Sequence, residues 1–227
     1  MTSEVELFSG ITLRRSQKMI HLASQRPLDC LSSAVVGGGS TRASHILNIG
    51  VASNYRCSDP AADLRRIAGS LGIHEPFVGL LTAARISDAQ VIVERAGPLS
   101  AAAIVTLGLS HPTAAGVSPA AACLDVGTIN TIVIVAGSLS PAALVNLVIT
   151  ATEAKSLVLA EHQVRTRDGH LASGTGSDAL VVAHTGEGTF CEYGGPVSLA
   201  GALVGQVVRA ATQAALALWQ ARQTEQR

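Results

Sequence analysis

The feature that most narrows the fold is an unbroken run set directly after Gly127: Thr128-Ile129-Asn130-Thr131-Ile132-Val133-Ile134-Val135. All but Asn130 are β-branched, so the run is stiff and suited to a pleated strand. It lacks the polar alternation of a strand with one wet face. It therefore reads as a strand in the middle of a sheet, covered on both sides.

The rest of the chain supplies that cover. Strand-like segments precede the run at Leu31 to Val36, His45 to Val51, Phe77 to Thr82, Ala89 to Glu94 and Ala102 to Leu109. Gly37-Gly38-Gly39-Ser40 separates the first two as a turn or a close backbone approach. A first helix opens at Pro60, capped by Ser58 or Asp59, carries Leu64, Ile67, Ala68 and Leu71 on one face, and stops at Gly72. The stretch Ser110 to Ala122 is rich in Pro, Ala, Gly and Ser and reads as a loop. After the central run, Ser140-Pro141 opens a long helix to about Glu161, with Leu144, Leu147, Val148, Ala151 and Leu157 at helical spacing. Gly174-Thr175-Gly176-Ser177-Asp178 leads into a short strand, Ala179 to Ala183. A last helix runs from Val197 to about Arg222, followed by a frayed polar tail over about 220–227. No repeat or long linker divides the chain. The expectation is a single mixed α/β (α+β) domain over residues 1–227, with helices packed on sheet.

Composition excludes several function classes. Only 3% of the 227 residues are aromatic, so the core is built from Ala, Val, Leu and Ile. The formal net charge is zero, which argues against nucleic acid or an anionic membrane as the partner. The longest apolar runs read as too short or too interrupted to span a bilayer. The first ten residues are partly acidic and have no signal-peptide core, so a cytoplasmic location is expected. Cys30, Cys57, Cys123 and Cys191 are scattered and read as isolated, mostly buried thiols. None of the seven histidines forms an HxH or HExxH pair, so no metal site is expected.

Several residues could carry chemistry, each with an ordinary alternative. Gly174-Thr175-Gly176-Ser177 has the look of a loop whose N–H groups cradle an anion, or of a plain tight turn. Asp178 could orient a reacting hydroxyl or amine, or simply cap loop amides. Thr128, at a strand start after a glycine, could be a nucleophile, or a β-former. Glu153 and Lys155 in the long helix could pair or contact substrate, or be solvated charges. His45 could be a base, or a hydrogen-bonded structural residue.

In order along residues 28 to 210, a series of segments resembles the adenosylcobinamide amidohydrolase family. They are Leu31 to Gly39, His45 to Asn48, Asn54 to Pro60, Val78 to Ala84, Val105 to Ser110, Gly127 to Asn130, Thr150 to Lys155 and Ser173 to Asp178. The resemblance implies hydrolysis of the amide joining adenosylcobyric acid to aminopropanol, in corrinoid salvage and cobamide remodelling. The corrinoid is then the substrate, with no cofactor or metal. It puts Gly37, Gly38, Gly39, Asn48, Gly127, Gly174, Thr175, Gly176 and Ser177 on the substrate side of the site. A homodimer through the Ala-rich helices is a further expectation about partners.

The layout of Gly127-Thr128, Ser140-Pro141 and Gly174 to Asp178 is also similar to the ornithine acetyltransferase and L-aminopeptidase/D-esterase superfamily, a sandwich of stacked mixed sheets flanked by helices. That similarity implies Thr128 as nucleophile, Asn130 and amides near Gly37 to Gly39 as the oxyanion site, and Asp178 as orienter. His45, Glu153 or Lys155 would then serve as base. Two other readings stay open: a self-processing peptidase or acyltransferase acting on small amides, and a corrinoid-binding protein without catalysis.

Overall fold

The computed structural model describes residues 3–120 and 128–225. Among these, the strands are β1 (Ser3–Phe8), β2 (Ile11–Arg15), β3 (Met19–Ser32), β4 (Gly39–Gly50), β5 (Val78–Thr82), β6 (Gln90–Ala96), β7 (Leu99–Leu107), β8 (Pro112–Thr113), β9 (Ile129–Ala136), β10 (Ser138–Leu139), β11 (Gly174–Thr175), β12 (Ala179–His184) and β13 (Phe190–Cys191). The helices are α1 (Pro60–Ser70), α2 (Pro141–Glu161) and α3 (Leu199–Glu225).

One hydrogen-bonded sheet runs β1-β2-β3-β12-β9-β7-β6, with β4 on the other edge of β3 and β5 beside β4. The β9–β12 and β4–β5 pairs are parallel. The 14-residue β3 makes the sheet fold on itself. Its first half pairs with β2 and its last four residues with β12, while β4 follows it throughout except at a register shift between Ala23 and Leu28. Such an irregularity bends a strand. The two halves of the sheet then face each other across a core that includes Ile20, Leu22, Ile46, Leu80, Ile104, Ile132 and Val181.

Helices close both outer faces. α2 and α3 lie on the β12-β9-β7-β6 half over Val133, Val135, Leu147, Val158, Val204 and Val208. α1 covers the other half over Leu47, Ile49 and Phe77. The result is helix, sheet, sheet, helix. In β9, Ile129, Val133 and Val135 face the helices while Ile132 and Ile134 face the opposing sheet. That two-sided burial is why the run carries no polar alternation.

The helix starts follow the capping chemistry. Asp59, not Ser58, accepts from the Ala62 N–H at 2.9 Å, and Pro60 takes the first turn. Ser140 accepts from the Ala143 N–H at 3.0 Å ahead of Pro141. Gly72 sits at φ +73°, where α1 ends.

Some expectations need correction. The strand expected at Leu31 to Val36 stops at Ser32, and Val36 instead forms an isolated bridge with Gly79. Gly37 turns the chain here at φ +69°, which breaks the ladder. The expected loop after Ser110 contains β8, which pairs with Gly174 and Thr175. The tail is not frayed from residue 220: α3 continues to Glu225, held by an Arg222–Asp88 ion pair at 2.6 Å. By length and composition α2 and α3 could each cross a membrane, so their apolar runs are not too short for that; one face of each is packed on the sheet. Cys30 and Cys191 are buried and Cys57 is exposed, all as free thiols, while Cys123 lies outside the described residues.

On the α1 side of the β3–β4 pair, His21 Nε2 meets His45 Nδ1 at 3.1 Å. Burial, then the neighbouring His45 and Arg14, lower the His21 pKa from 6.5 to about 4, and burial and Arg14 lower that of His45. Both pKa values lie below those of the unfolded chain, so the folded state binds these protons less well. Their contribution to stability is complete above about pH 6.5 and is lost as pH falls toward 4. Denaturant titrations are expected to show a stability lower at pH 4.5 than at pH 7 by on the order of 2 kcal/mol from His21. His21→Gln should shrink that difference; an unchanged slope against pH would remove the pair as its source.

Candidate active site

Thr128 opens β9 on the side facing the opposing sheet, and is 4% exposed. Its backbone carbonyl accepts from the Gly108 N–H at 3.0 Å, which ties the strand mouth to the end of β7. Its hydroxyl lies 2.8 Å from Asn130 Oδ1 and 2.8 Å from the Ser177 carbonyl. One proton serves these two acceptors in turn.

A buried polar chain continues from there. Asn130 Nδ2 donates to Asn48 Oδ1 and to the Leu81 carbonyl, both at 2.9 Å. Asn48 Nδ2 donates to Thr106 Oγ1 at 3.0 Å. Asn48 and Asn130 are each 1% exposed, so their satisfaction matters: a buried amide left unpaired costs roughly 1–3 kcal/mol. The chain links the two sheets and brings together segments that lie 82 residues apart.

Asp178 is the other centre. Oδ1 accepts from the Ile129 N–H at 2.9 Å and the Thr175 hydroxyl at 2.6 Å. Oδ2 accepts from Lys155 Nζ at 2.5 Å, and the two side chains are only 18% and 12% exposed. The carboxylate thus fixes the residue after Thr128, while the ammonium enters from α2. Gly174 leaves room for this pair. A side-chain carbon there would overlap the Asp178 carboxylate and come within 2.8 Å of Lys155 Nζ. Gly174→Ala is therefore expected to push the pair apart and to lower turnover by about tenfold or more, with a folded chain by circular dichroism. Unchanged kinetics in that variant would show the pair's position to be immaterial.

The other expected site residues fall in three places. Thr175 and the Ser177 carbonyl join the cluster through the bonds above, and Gly176 is exposed at the turn between β11 and β12. Gly37 and Gly38 are explained by the chain's own packing: side chains there would fall within 2.5 Å of the Phe77 carbonyl and 2.7 Å of the Ala34 carbonyl. Gly39, at φ +80°, faces open space. His45 projects from the face of β4 opposite to Asn48, beside His21. Glu153 is exposed and lines an apolar groove of about 790 Å³ between α2 and α3. Of the three expected bases, Lys155 is the one at the cluster. Gly127 lies outside the described residues.

Thr106 belongs to the site although the residues alone did not single it out; its signal was a polar side chain in the otherwise apolar run Ala101 to Leu107 of β7. Beside the Lys155–Asp178 pair, between β9, β12 and α2, lies a cavity of about 250 Å³. Among the described residues, no group of three or more His, Cys, Asp or Glu is placed to hold a metal ion.

A family model described as adenosylcobinamide amidohydrolase matches residues 4–224. An adenosylcobinamide amidohydrolase of Methanosarcina mazei is 32% identical over 170 residues, covering 73% of this chain and 72% of that protein. One from Halobacterium salinarum is 32% identical over 191 residues, covering 79% and 76%. Among solved structures, a Burkholderia sp. beta-aminopeptidase matches with a TM-score of 0.47 and 11% identity, over 89% of this chain and 78% of that one. On the extent of the family match and of both relatives, the chain belongs to the adenosylcobinamide amidohydrolase family.

Proposed function

We propose that the protein hydrolyses the amide between adenosylcobyric acid and aminopropanol in adenosylcobinamide, with the corrinoid as substrate. What supports a catalytic role is the convergence of a hydroxyl, a carboxylate and an ammonium at the mouth of one strand: Thr128, Asp178 and Lys155. Acyl transfer to a hydroxyl needs a nucleophile and a group that delivers a proton to the departing amine.

In this reading the Thr128 oxygen attacks the amide carbon and the C–N bond breaks. Lys155 gives a proton to the leaving nitrogen and regains one from the Thr128 hydroxyl. Water then cleaves the resulting ester, giving the free acid and restoring the hydroxyl. Asp178 holds Lys155 and the Ile129 amide in place through both steps. Incubation with adenosylcobinamide, followed by mass spectrometry, should detect aminopropanol and adenosylcobyric acid in equal amounts. Tight binding with no release of amine would overturn the reading in favour of a corrinoid-binding protein.

A further inference from the structure

We propose that a second copy of this chain covers the outer face of α2 and α3, so that the protein is a twofold dimer. The proposal is independent of the reaction assigned above.

The face lacks the charges that a solvated helix surface carries. Along α2, and along α3 as far as Ala217, the exposed side chains are charged only at Glu153 and Glu161. Val145, Ile149 and Leu157 are each about half exposed on α2. β13 and the segment after it extend the patch. The segment is tied to α2, where the Ser140 hydroxyl donates to the Glu192 carbonyl at 2.6 Å and the Thr150 hydroxyl to the Gly194 carbonyl at 3.0 Å. There Val197 is almost fully exposed, and Phe190 and Tyr193 are 63% and 61% exposed. The chain has only three Phe, two Tyr and one Trp. Two of so few set out in water, beside aliphatic neighbours, mark a surface that a partner covers.

Shape identifies the partner as a copy. The groove of about 790 Å³ between α2 and α3 is hollowed by the small residues Gly201, Ala202 and Gly205. Val145 and Ile149, four residues apart on the side of α2 away from the buried Leu147 and Ala151, form a ridge. A ridge and a hollow on one face suit a twofold contact, in which the ridge of each copy enters the groove of the other. A partner of another kind would use only one of them. The area suffices. α2 has 21 residues and is about 30 Å long. Two such helices side by side, each about 10 Å wide, present roughly 600 Å² in outline. With side-chain relief and the segment after β13, that reaches the scale of about 800 Å² of accessible surface per partner that a stable interface takes. Charge fits as well. The groove carries one acid and one base, Glu153 from α2 and Arg209 from α3, so a twofold brings opposite signs into one contact. An anionic membrane would instead need Lys and Arg beside the apolar stripe, and the exposed charges here are acids.

The test is the mass of the purified full-length chain by sedimentation equilibrium over a series of concentrations. Wild-type protein is expected to show the mass of two chains at micromolar concentration. Ile149→Lys sets a charge on the ridge and should raise the dissociation constant a hundredfold or more. Gly205→Leu should do the same from the groove side. A side-chain carbon there meets nothing closer than Thr150 Cγ2 at 3.6 Å, so the variant fills the groove without disturbing the chain's own packing. Circular dichroism and thermal melts should show both variants folded. A wild-type protein with the mass of one chain at every concentration would overturn the proposal; its co-sedimentation with phosphatidylcholine vesicles would then assign the face to a lipid surface. A two-chain mass that survives both Ile149→Lys and Gly205→Leu would place the contact elsewhere and overturn it equally.

Discussion

Thr128→Ala is expected to lower the turnover of adenosylcobinamide a thousandfold or more while leaving a folded chain. The hydroxyl is held between Asn130 Oδ1 and the Ser177 carbonyl, two acceptors that fix its direction but cannot take its proton. A hydroxyl that only bridged two strands would have a modest role. Its loss would cost roughly 1–2 kcal/mol and leave turnover largely intact. Loss of a nucleophile removes the covalent step itself, with the larger effect. Thr128→Ser keeps the oxygen and should keep measurable activity. Steady-state kinetics with circular dichroism separate the two cases. Turnover within tenfold of wild type in folded Thr128→Ala would take Thr128 out of the mechanism and leave a water beside Lys155 and Asp178 as the attacking group.

Asp178→Ala should combine a large kinetic effect with a large structural one. Its carboxylate receives three donors, from Ile129, Thr175 and Lys155. Removing it strands the Lys155 ammonium at a position where that side chain is 12% exposed. Breaking such a pair by deleting one partner costs about 3 kcal/mol or more. For a chain of this size that lowers the melting temperature by roughly 6–12 °C. Activity should fall a thousandfold or more, because both the Ile129 amide and the ammonium lose their anchor. Combining Asp178→Ala with Lys155→Met should recover part of the stability, by removing the stranded charge, and none of the activity. If the double variant is no more stable than the single one, the ion pair is not what Asp178 contributes to the fold.

The architecture was legible where burial dictates residue type. The central strand could be read because both of its faces are covered, which forces β-branched residues at consecutive positions. The helix starts, at Ser58 or Asp59 and at Ser140, could be read because orphan N–H groups demand an oxygen at that point. The fold-back of β3 was not legible. Pro27 does mark a break in the ladder between Ala23 and Leu28, but which strands lie beside each half cannot be read from it.

The site was legible in its segments and less so in its directions. Glu153 and Lys155 are two residues apart on α2 and so point to different sides. The helix is apolar nearly all round, with Val145 and Ile149 exposed and Leu147 buried, so its inner face could not be chosen from pattern. The same holds for His45 and Asn48, three apart on one strand and therefore on opposite faces. Thr106 was hidden by the ordinary preference of threonine for strands; what marks it is an inter-sheet hydrogen bond, which cannot be seen before the strands are paired.

The pairing of β3 with β12 bears on how the protein is made. Ser33 and Leu180 are bonded across 147 residues. At a synthesis rate of roughly 5–20 residues per second, the end of β3 waits about 7–30 s on the ribosome for its neighbour. No shorter nascent chain can hold the site, because Asp178 arrives with that neighbour. Meanwhile residues 29–32 present an unpaired strand edge, which is a template for association with other chains. Asp29 places a charge on that waiting edge, opposite Arg42 of β4 at 3.0 Å. A charge on an open edge discourages pairing with strangers, so this ion pair, of small worth to the finished protein, guards the interval before β12 arrives.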